Sequence, residues 1–121
     1  MSVIKTYKDL KVWQKGIEIV KMVYLFCNEM PNAEIFGLQS QIKRAAVSIP
    51  SNIAEGYGRN SSKSFAQFLK IARGSLMELE TQLFLAKELM FLSDGKYTLI
   101  EKLIEEEGKM LNAFIKSIEN N

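Results

Sequence analysis

A segment in the second half of the chain carries apolar residues at alternating spacings of four and three, from residue 65 to residue 90. An apolar side chain every three or four residues keeps one face of an α-helix apolar, so the pattern predicts a long helix with a buried face. We expect this third helix at residues 62–91, capped by Ser61 or Ser62 and about 45 Å long. The apolar row consists of Phe65, Leu69, Ala72, Leu76, Leu79, Leu83, Ala86 and Met90.

The same kind of periodicity predicts a first and a fourth helix near the two ends of the chain. The first covers about residues 9–30, because Asp9 suits an N-terminal cap and the residue before Pro31 resists helical dihedral angles. It carries two adjacent apolar rows, which indicate a broad buried face. The fourth covers about residues 96–118 and follows a turn in which Gly95 supplies a left-handed conformation.

The second helix is the element whose shape the sequence leaves open. It begins near Ile35 or Phe36 and reaches about Gly56, so we place it at residues 36–56. Pro50 cannot donate a backbone hydrogen bond and therefore predicts a kink inside this helix. In the alternative interpretation, Pro50 stands in the first turn of a separate short helix.

Together these elements predict an all-α fold. We expect a single domain over residues 1–121, folded as an antiparallel up-down-up-down four-helix bundle. The first and third helices each carry two apolar rows, which is more than a lone bundle has to bury. The protein is therefore expected to associate with itself.

Composition narrows the chemistry that the chain can perform. It contains no histidine, which removes Ser-His-Asp and Cys-His catalysis and the usual zinc and di-iron ligand sets. It also lacks a glycine-rich phosphate loop, so we expect no enzymatic activity, no metal and no cofactor. The lone cysteine, Cys27, excludes an internal disulfide and is either a buried small hydrophobe or a reactive thiol.

A line of polar side chains, called the polar line below, follows the second helix and has a counterpart on the third. In a structural interpretation these groups satisfy one another within the bundle or between subunits, with an arginine pairing any buried carboxylate. In a chemical interpretation the carboxylates form a metal or acid-base site. The polar line consists of Arg44, Ser48, Asn52, Glu55, Ser75, Glu78 and Gln82.

A separate run of three glutamates at residues 105–107 lies on the predicted fourth helix and is expected to be solvated.

Basic residues gather at one end of the predicted bundle, called the basic pole below. An up-down-up-down arrangement places the starts of the first and third helices beside the end of the second. A cyclic oligomer would repeat this pole around its axis and could hold RNA or DNA phosphates without reading sequence. The alternative is an ordinary solvated, lysine-rich surface. The pole consists of Lys5, Lys8, Lys11, Lys15, Arg59 and Lys63, with Lys70 and Arg73 further along.

Four strings of the sequence resemble a known family. They are YKDLKVWQ at residues 7–14, SIPSNIAEG at residues 48–56, FLKIARGS at residues 68–75 and ELE at residues 78–80. Together they resemble the bacterial four-helix-bundle proteins first noticed as products of intervening sequences in 23S rRNA genes. The resemblance implies a tendency to form ring-shaped homopentamers and no established activity. The chain is also similar to the accessory protein of diversity-generating retroelements, a basic pentameric barrel that binds nucleic acid and a reverse transcriptase.

Two functional hypotheses follow. In the first, the protein is a non-enzymatic homo-oligomer, expected to be a pentamer, that binds RNA or DNA phosphates through the basic pole. In the second, it is an adaptor that recruits another protein and has no nucleic-acid role. The chain has no uncharged apolar run of membrane-spanning length and no secretory h-region in residues 1–12, so a cytoplasmic location without membrane contact is expected.

Overall fold

A computed structural model describes residues 3–34 and 36–120, and the regular structure of these residues is entirely helical. Of the two predicted starts of the second helix, Ile35 lies outside the described residues and Phe36 precedes the helix, which begins at Leu38. The helices are α1 at Lys11–Cys27, α2 at Leu38–Tyr57, α3 at Ser62–Glu88 and α4 at Asp94–Glu119, with short 3-10 helices at Tyr7–Asp9 and Asn32–Glu34.

Each α-helix packs against its neighbours in the sequence, and α1 closes the arrangement by packing against α4. In the described residues, no Cα atoms of the diagonal pairs α1–α3 and α2–α4 lie within 8 Å of each other. The ring of Tyr57, at the end of α2, lies 6.1 Å from that of Phe65, at the start of α3. The Phe65 ring in turn lies 5.4 Å from that of Phe114, near the end of α4. The predicted all-α, up-down-up-down bundle is confirmed.

The core consists of aliphatic side chains from all four helices, and the apolar row of α3 supplies its largest share. Leu69, Leu76, Leu79 and Leu83 are fully buried, with small alanines between them, whereas Met90 is exposed. Each such leucine contributes about 2 kcal/mol or more by leaving water. No helix in the described part of the chain has the length and hydropathy to span a lipid bilayer.

The thiol of Cys27 also belongs to the core. The side chain is buried, and burial raises the pKa of the thiol above its ordinary value. A thiol with a raised pKa is a weak nucleophile, because little of it is present as thiolate at neutral pH. The residue therefore behaves as a small hydrophobe.

The start and the end of α1 differ from the sequence prediction. The Asp9 carboxylate accepts hydrogen bonds from the backbone N–H groups of Lys5 at 2.8 Å and Thr6 at 3.1 Å, so it closes the preceding 3-10 turn and does not cap α1. At the other end, the Met30 N–H donates to the Cys27 carbonyl three residues back. Tighter bonding of this kind turns the last predicted residues of the helix into a turn.

The left-handed residue between α3 and α4 is Met90, with φ of 64°, and not Gly95 as predicted. The Met90 N–H donates to the Lys87 carbonyl at 3.0 Å, and the Phe91 N–H donates to the Ala86 carbonyl at 2.8 Å. This pair of bonds is the Schellman arrangement that ends a helix, and it stops α3 before residue 91.

Serine caps set the starts of α3 and α4. The Ser61 hydroxyl accepts a hydrogen bond from the Ser64 N–H at 3.1 Å, and the Ser93 hydroxyl accepts one from the Lys96 N–H at 3.2 Å. Because Ser93 is the cap, α4 begins at Asp94, two residues before the predicted start.

α2 continues through Pro50 as one helix, so the alternative with two separate helices is wrong. The kink predicted at Pro50 is not confirmed. Pro50 is buried and faces Gly16 of α1, where an added Cβ would lie 3.4 Å from both Cβ and Cδ of the proline ring. A glycine on α1 therefore leaves room for the proline ring within the bundle.

The close approach of α2 to α3 at Gly56 generates a test of the packing. A Cβ on Gly56 would lie 2.6 Å from Cβ of Phe68 and 3.0 Å from Cδ1 of Phe65, so Gly56→Ala must displace α3. We expect a loss of about 1–3 kcal/mol in the free energy of unfolding, measured by urea denaturation. The matched control is Gly74→Ala on α3, where a Cβ meets nothing within 4 Å. That variant should gain about 0.5–1 kcal/mol, and equal effects of the two substitutions would contradict the described packing.

Candidate functional site

The basic pole lies where α1 and α3 begin and α2 and α4 end. Two contacts between α3 and α4 mark it: Lys70 Nζ lies 2.5 Å from an oxygen of Glu119, and Lys63 lines one surface depression with Ile118 and Glu119. The 3-10 helix at Tyr7–Asp9 packs against α2, which brings the lysines before α1 to the same end.

Half of the predicted basic residues are engaged with other side chains. Arg73 donates a hydrogen bond to Oδ1 of Asn112 at 2.9 Å, and the Arg59 guanidinium lies 4.8 Å from the ring centroid of Phe68. Exposed ion pairs contribute little to stability, typically about 0–1 kcal/mol, but they reduce the local positive charge. The ion pairs are Lys15–Glu106 at 3.2 Å, Arg59–Glu55 at 2.8 Å and Lys70–Glu119 at 2.5 Å.

Four lysines of the pole remain exposed and form no ion pair within residues 3–34 and 36–120. Lysines near helix starts oppose the helix dipole, so stability does not explain their position. The nearby Tyr7 ring packs edge-on against Trp13 at 5.4 Å, which leaves it poorly placed to stack on a base. The four, called the unpaired lysines below, are Lys5, Lys8, Lys11 and Lys63.

The centre of the polar line joins α2 to α3 through hydroxyl groups. The side-chain oxygens of Ser48 and Ser75 lie 2.8 Å apart. The Asn52 amide donates to the Ser48 hydroxyl at 2.9 Å and to the Ser48 carbonyl at 2.8 Å. These three residues form one connected, half-buried hydrogen-bonded group.

The outer parts of the polar line do not join this group. Glu55 is exposed and pairs with Arg59. At the other end Arg44, Glu78 and Gln82 line a pocket of about 300 Å³ in which Arg44 and Glu78 form no ion pair. In the described ranges, no three Cys, Asp or Glu side chains converge on a point that could hold a metal ion. The seven predicted residues thus fall into three separate groups.

Glu107 is the ionisable residue whose placement the sequence analysis missed. Its side chain is completely buried, so the expectation that residues 105–107 are all solvated is wrong. A signal was present, because Glu107 stands between Ile104 and Leu111 at spacings of three and four, in the apolar row of α4. Because it belongs to a run of three glutamates, its place in the apolar row was not recognised from the sequence.

Burial raises the pKa of the Glu107 carboxyl to about 8, because an ionised carboxylate loses its hydration inside the bundle. The positive charge of Lys15 lowers this pKa, and the negative charge of Glu18 raises it further. The core therefore contains a carboxyl group that is largely protonated at neutral pH.

The bundle geometry and the distribution of its polar groups define an antiparallel four-helix protein with a basic end. The chain belongs to the 23S rRNA-intervening sequence protein family, whose model matches residues 8–113, and the resemblance inferred from the sequence strings is confirmed. It is similar to a protein of unknown function from the S23 ribosomal protein family of Bacteroides thetaiotaomicron. The crystal structure of that protein superposes with a TM-score of 0.81 at 27% identity, covering 87% of this chain and 95% of that one. No curated protein matches the sequence.

The hydrogen-bonded centre of the polar line leads to a second prediction. Ser48→Ala removes the hydroxyl that contacts both Ser75 and Asn52, so we expect a loss of about 1–2 kcal/mol in the free energy of unfolding. Urea denaturation measures the effect. The control is Ser51→Ala, an exposed position on the same helix, which should change stability by about 0.5 kcal/mol or less. Similar losses for the two variants would show that the Ser48 contacts contribute nothing specific.

Proposed function

We propose that the protein is a non-enzymatic, self-associating scaffold that holds nucleic-acid phosphates on its basic pole. The observation that carries the proposal is the set of four unpaired lysines at one end of the bundle. An ammonium group without a carboxylate partner is available to displace the counterions of a phosphate backbone. Because contacts to phosphates carry no sequence information, binding is expected to be independent of base sequence.

Exposed apolar side chains support self-association. Leu25, Leu85 and Leu89 are 63%, 46% and 55% exposed. A groove of about 300 Å³ between α1 and α2 is lined by Trp13, Val20 and other apolar residues. Joining copies would shield these side chains and the groove from water. A ring of copies would also bring several basic poles together, and the family resemblance makes a homopentamer the expected form.

Self-association is tested by mass. Size-exclusion chromatography with multi-angle light scattering should give several times the 13.8 kDa of one chain, and five times if the ring is a pentamer. The apolar surface described above is the physical reason. A mass of one chain at micromolar concentration would contradict the assembly part of the proposal and leave the single-chain phosphate contacts to be tested separately.

Phosphate binding is tested with a triple substitution of unpaired lysines, K8Q/K11Q/K63Q. Filter binding with a short RNA and a DNA duplex of unrelated sequence should show affinity that falls steeply with salt. If the three lysines contact phosphates, the negative slope of log affinity against log salt should become shallower by about two to three in the variant. Both nucleic acids should bind, because the lysines read charge and not base edges.

The matched control removes the same charge elsewhere. K21Q/R44Q/K102Q replaces three exposed cations that lie away from the basic pole and form no ion pair in the described part of the chain. It should keep nearly the wild-type slope. Equal losses in the two triple variants would indicate a general charge effect. An absence of binding at low salt would reject the phosphate part of the proposal.

A second candidate function is that of a protein-interaction adaptor. The observation that favours it is an apolar groove of about 560 Å³ between α1 and α4, bordered by Glu18 and Lys21. A groove of this shape suits an amphipathic helix of another protein. A pull-down whose partner survives nuclease treatment would support the adaptor, whereas a partner lost with nuclease would support the scaffold. The groove is lined by Met22, Leu25, Phe26, Leu99 and Leu103.

A further inference from the structure

Glu107 belongs neither to the basic pole nor to the polar line, yet it occupies the interior of the bundle. Its side chain has no solvent exposure, and neither carboxyl oxygen has a hydrogen-bond partner among residues 3–34 and 36–120. A buried polar group without a partner is rare in folded proteins and calls for an explanation. Stability alone does not supply one, because an aliphatic residue at this position would continue the apolar row of α4.

The surroundings of the carboxyl explain how it fits and why it lacks donors. A Cβ on Gly16 of α1 would lie 3.4 Å from Oε2 of Glu107 and 3.4 Å from the ring of Pro50. The carboxyl therefore lies where α4 packs against α1, beside space that the glycine leaves open and that Pro50 of α2 also borders. Pro50 has no N–H and cannot donate to the carboxyl.

The charged groups that act on this carboxyl all come from α1. Lys15 favours its ionised form and Glu18 its protonated form. α2 presents the uncharged Pro50, and α3 presents Leu76, which lies beside the neighbouring Gly108. Lys15 is already engaged, because its ammonium lies 3.2 Å from the carboxylate of Glu106.

We infer that Glu107 is a proton-controlled junction between α4, α1 and α2. With its proton bound, the carboxyl packs as a neutral group beside Gly16, in the interior that Pro50 also borders. When the proton leaves, the bundle contains a buried carboxylate that accepts no hydrogen bond. The charge loosens the contact of α1 with α4 and draws Lys15 from Glu106 toward Glu107. The bundle is thereby sensitive to pH at a point distant in sequence from both the polar line and the unpaired lysines.

The direction of the pH effect follows from proton linkage. The carboxyl keeps its proton up to about pH 8 in the folded protein, against an ordinary value of 4.5 in an unfolded chain. Between these values the folded state holds one proton more than the unfolded state. The stabilising effect of the proton is therefore complete below about pH 4.5 and is lost progressively as the pH rises to about 8.

The first experiment compares urea unfolding of the wild type, E107Q and E105Q from pH 5 to pH 9. Glutamine has the shape of the protonated carboxyl but cannot ionise. Relative to E107Q, the unfolding equilibrium constant of the wild type should increase by about tenfold per pH unit and level off near pH 8. E105Q removes an exposed carboxylate of the same helix that forms no ion pair in the described part of the chain, and it should follow the wild type. Parallel curves for the wild type and E107Q would overturn the inference.

The second experiment observes the proton in the intact protein. Infrared spectroscopy should show the carbonyl stretch of a protonated carboxylic acid at neutral pH, lost with a midpoint near pH 8 and absent in E107Q. Because Lys15 and Glu18 act in opposite directions, K15Q should raise the midpoint and E18Q should lower it. A substitution that only disturbed packing would not give opposite shifts. Should E107Q fail to fold, the absence of this band from the wild type would still overturn the inference.

Discussion

The structure depends on burial of the apolar row of α3 against α2. Leucines of that row, such as Leu69 and Leu76, are fully buried. The alanines between them have small side chains, so α2 can pack close to α3. Gly56 marks how tight the approach becomes, because no side chain fits there without moving Cβ of Phe68 and the ring of Phe65. With this pair of helices fixed, α1 and α4 cover the two remaining sides and complete a four-sided core.

The sequence was sufficient to predict the number of helices and their arrangement, because the 3.6-residue period of the apolar positions records which face each helix buries. Helix ends were harder, since they depend on single hydrogen bonds. Asp9 was a reasonable cap for α1, but its carboxylate bonds to N–H groups that precede it. Met90 adopts the left-handed conformation that favours glycine, while Gly95 lies in the first turn of α4. Nothing in residue type alone separates these outcomes.

The position of the basic pole could be predicted from the sequence, but the ion pairs of its residues could not. Topology alone placed the basic residues at one end of the bundle, since helix starts and ends must alternate there. Which of them keep a free charge depends on long side chains and on partners such as Glu106 and Glu119, which lie on a helix far away in sequence. The polar line looked continuous on a helix diagram, yet the crossing of α2 over α3 joins only Ser48, Ser75 and Asn52. The burial of Glu107 was not predicted, because residues 105 and 106 are also glutamates and the three together resemble a solvated charge run.

The contact between α1 and α4 has a consequence for the order in which the chain folds. It is the least extensive of the four helix–helix contacts, and its ion pair between Lys15 and Glu106 spans 91 residues of sequence. Bringing such distant segments together costs more chain entropy than forming the neighbouring α2–α3 hairpin, so the hairpin forms early and the first and last helices join late. The same asymmetry makes separation of α1 from α4 the least costly opening motion of the native bundle. The mobile side of this molecule is thus the one that carries an ionisable group in its interior.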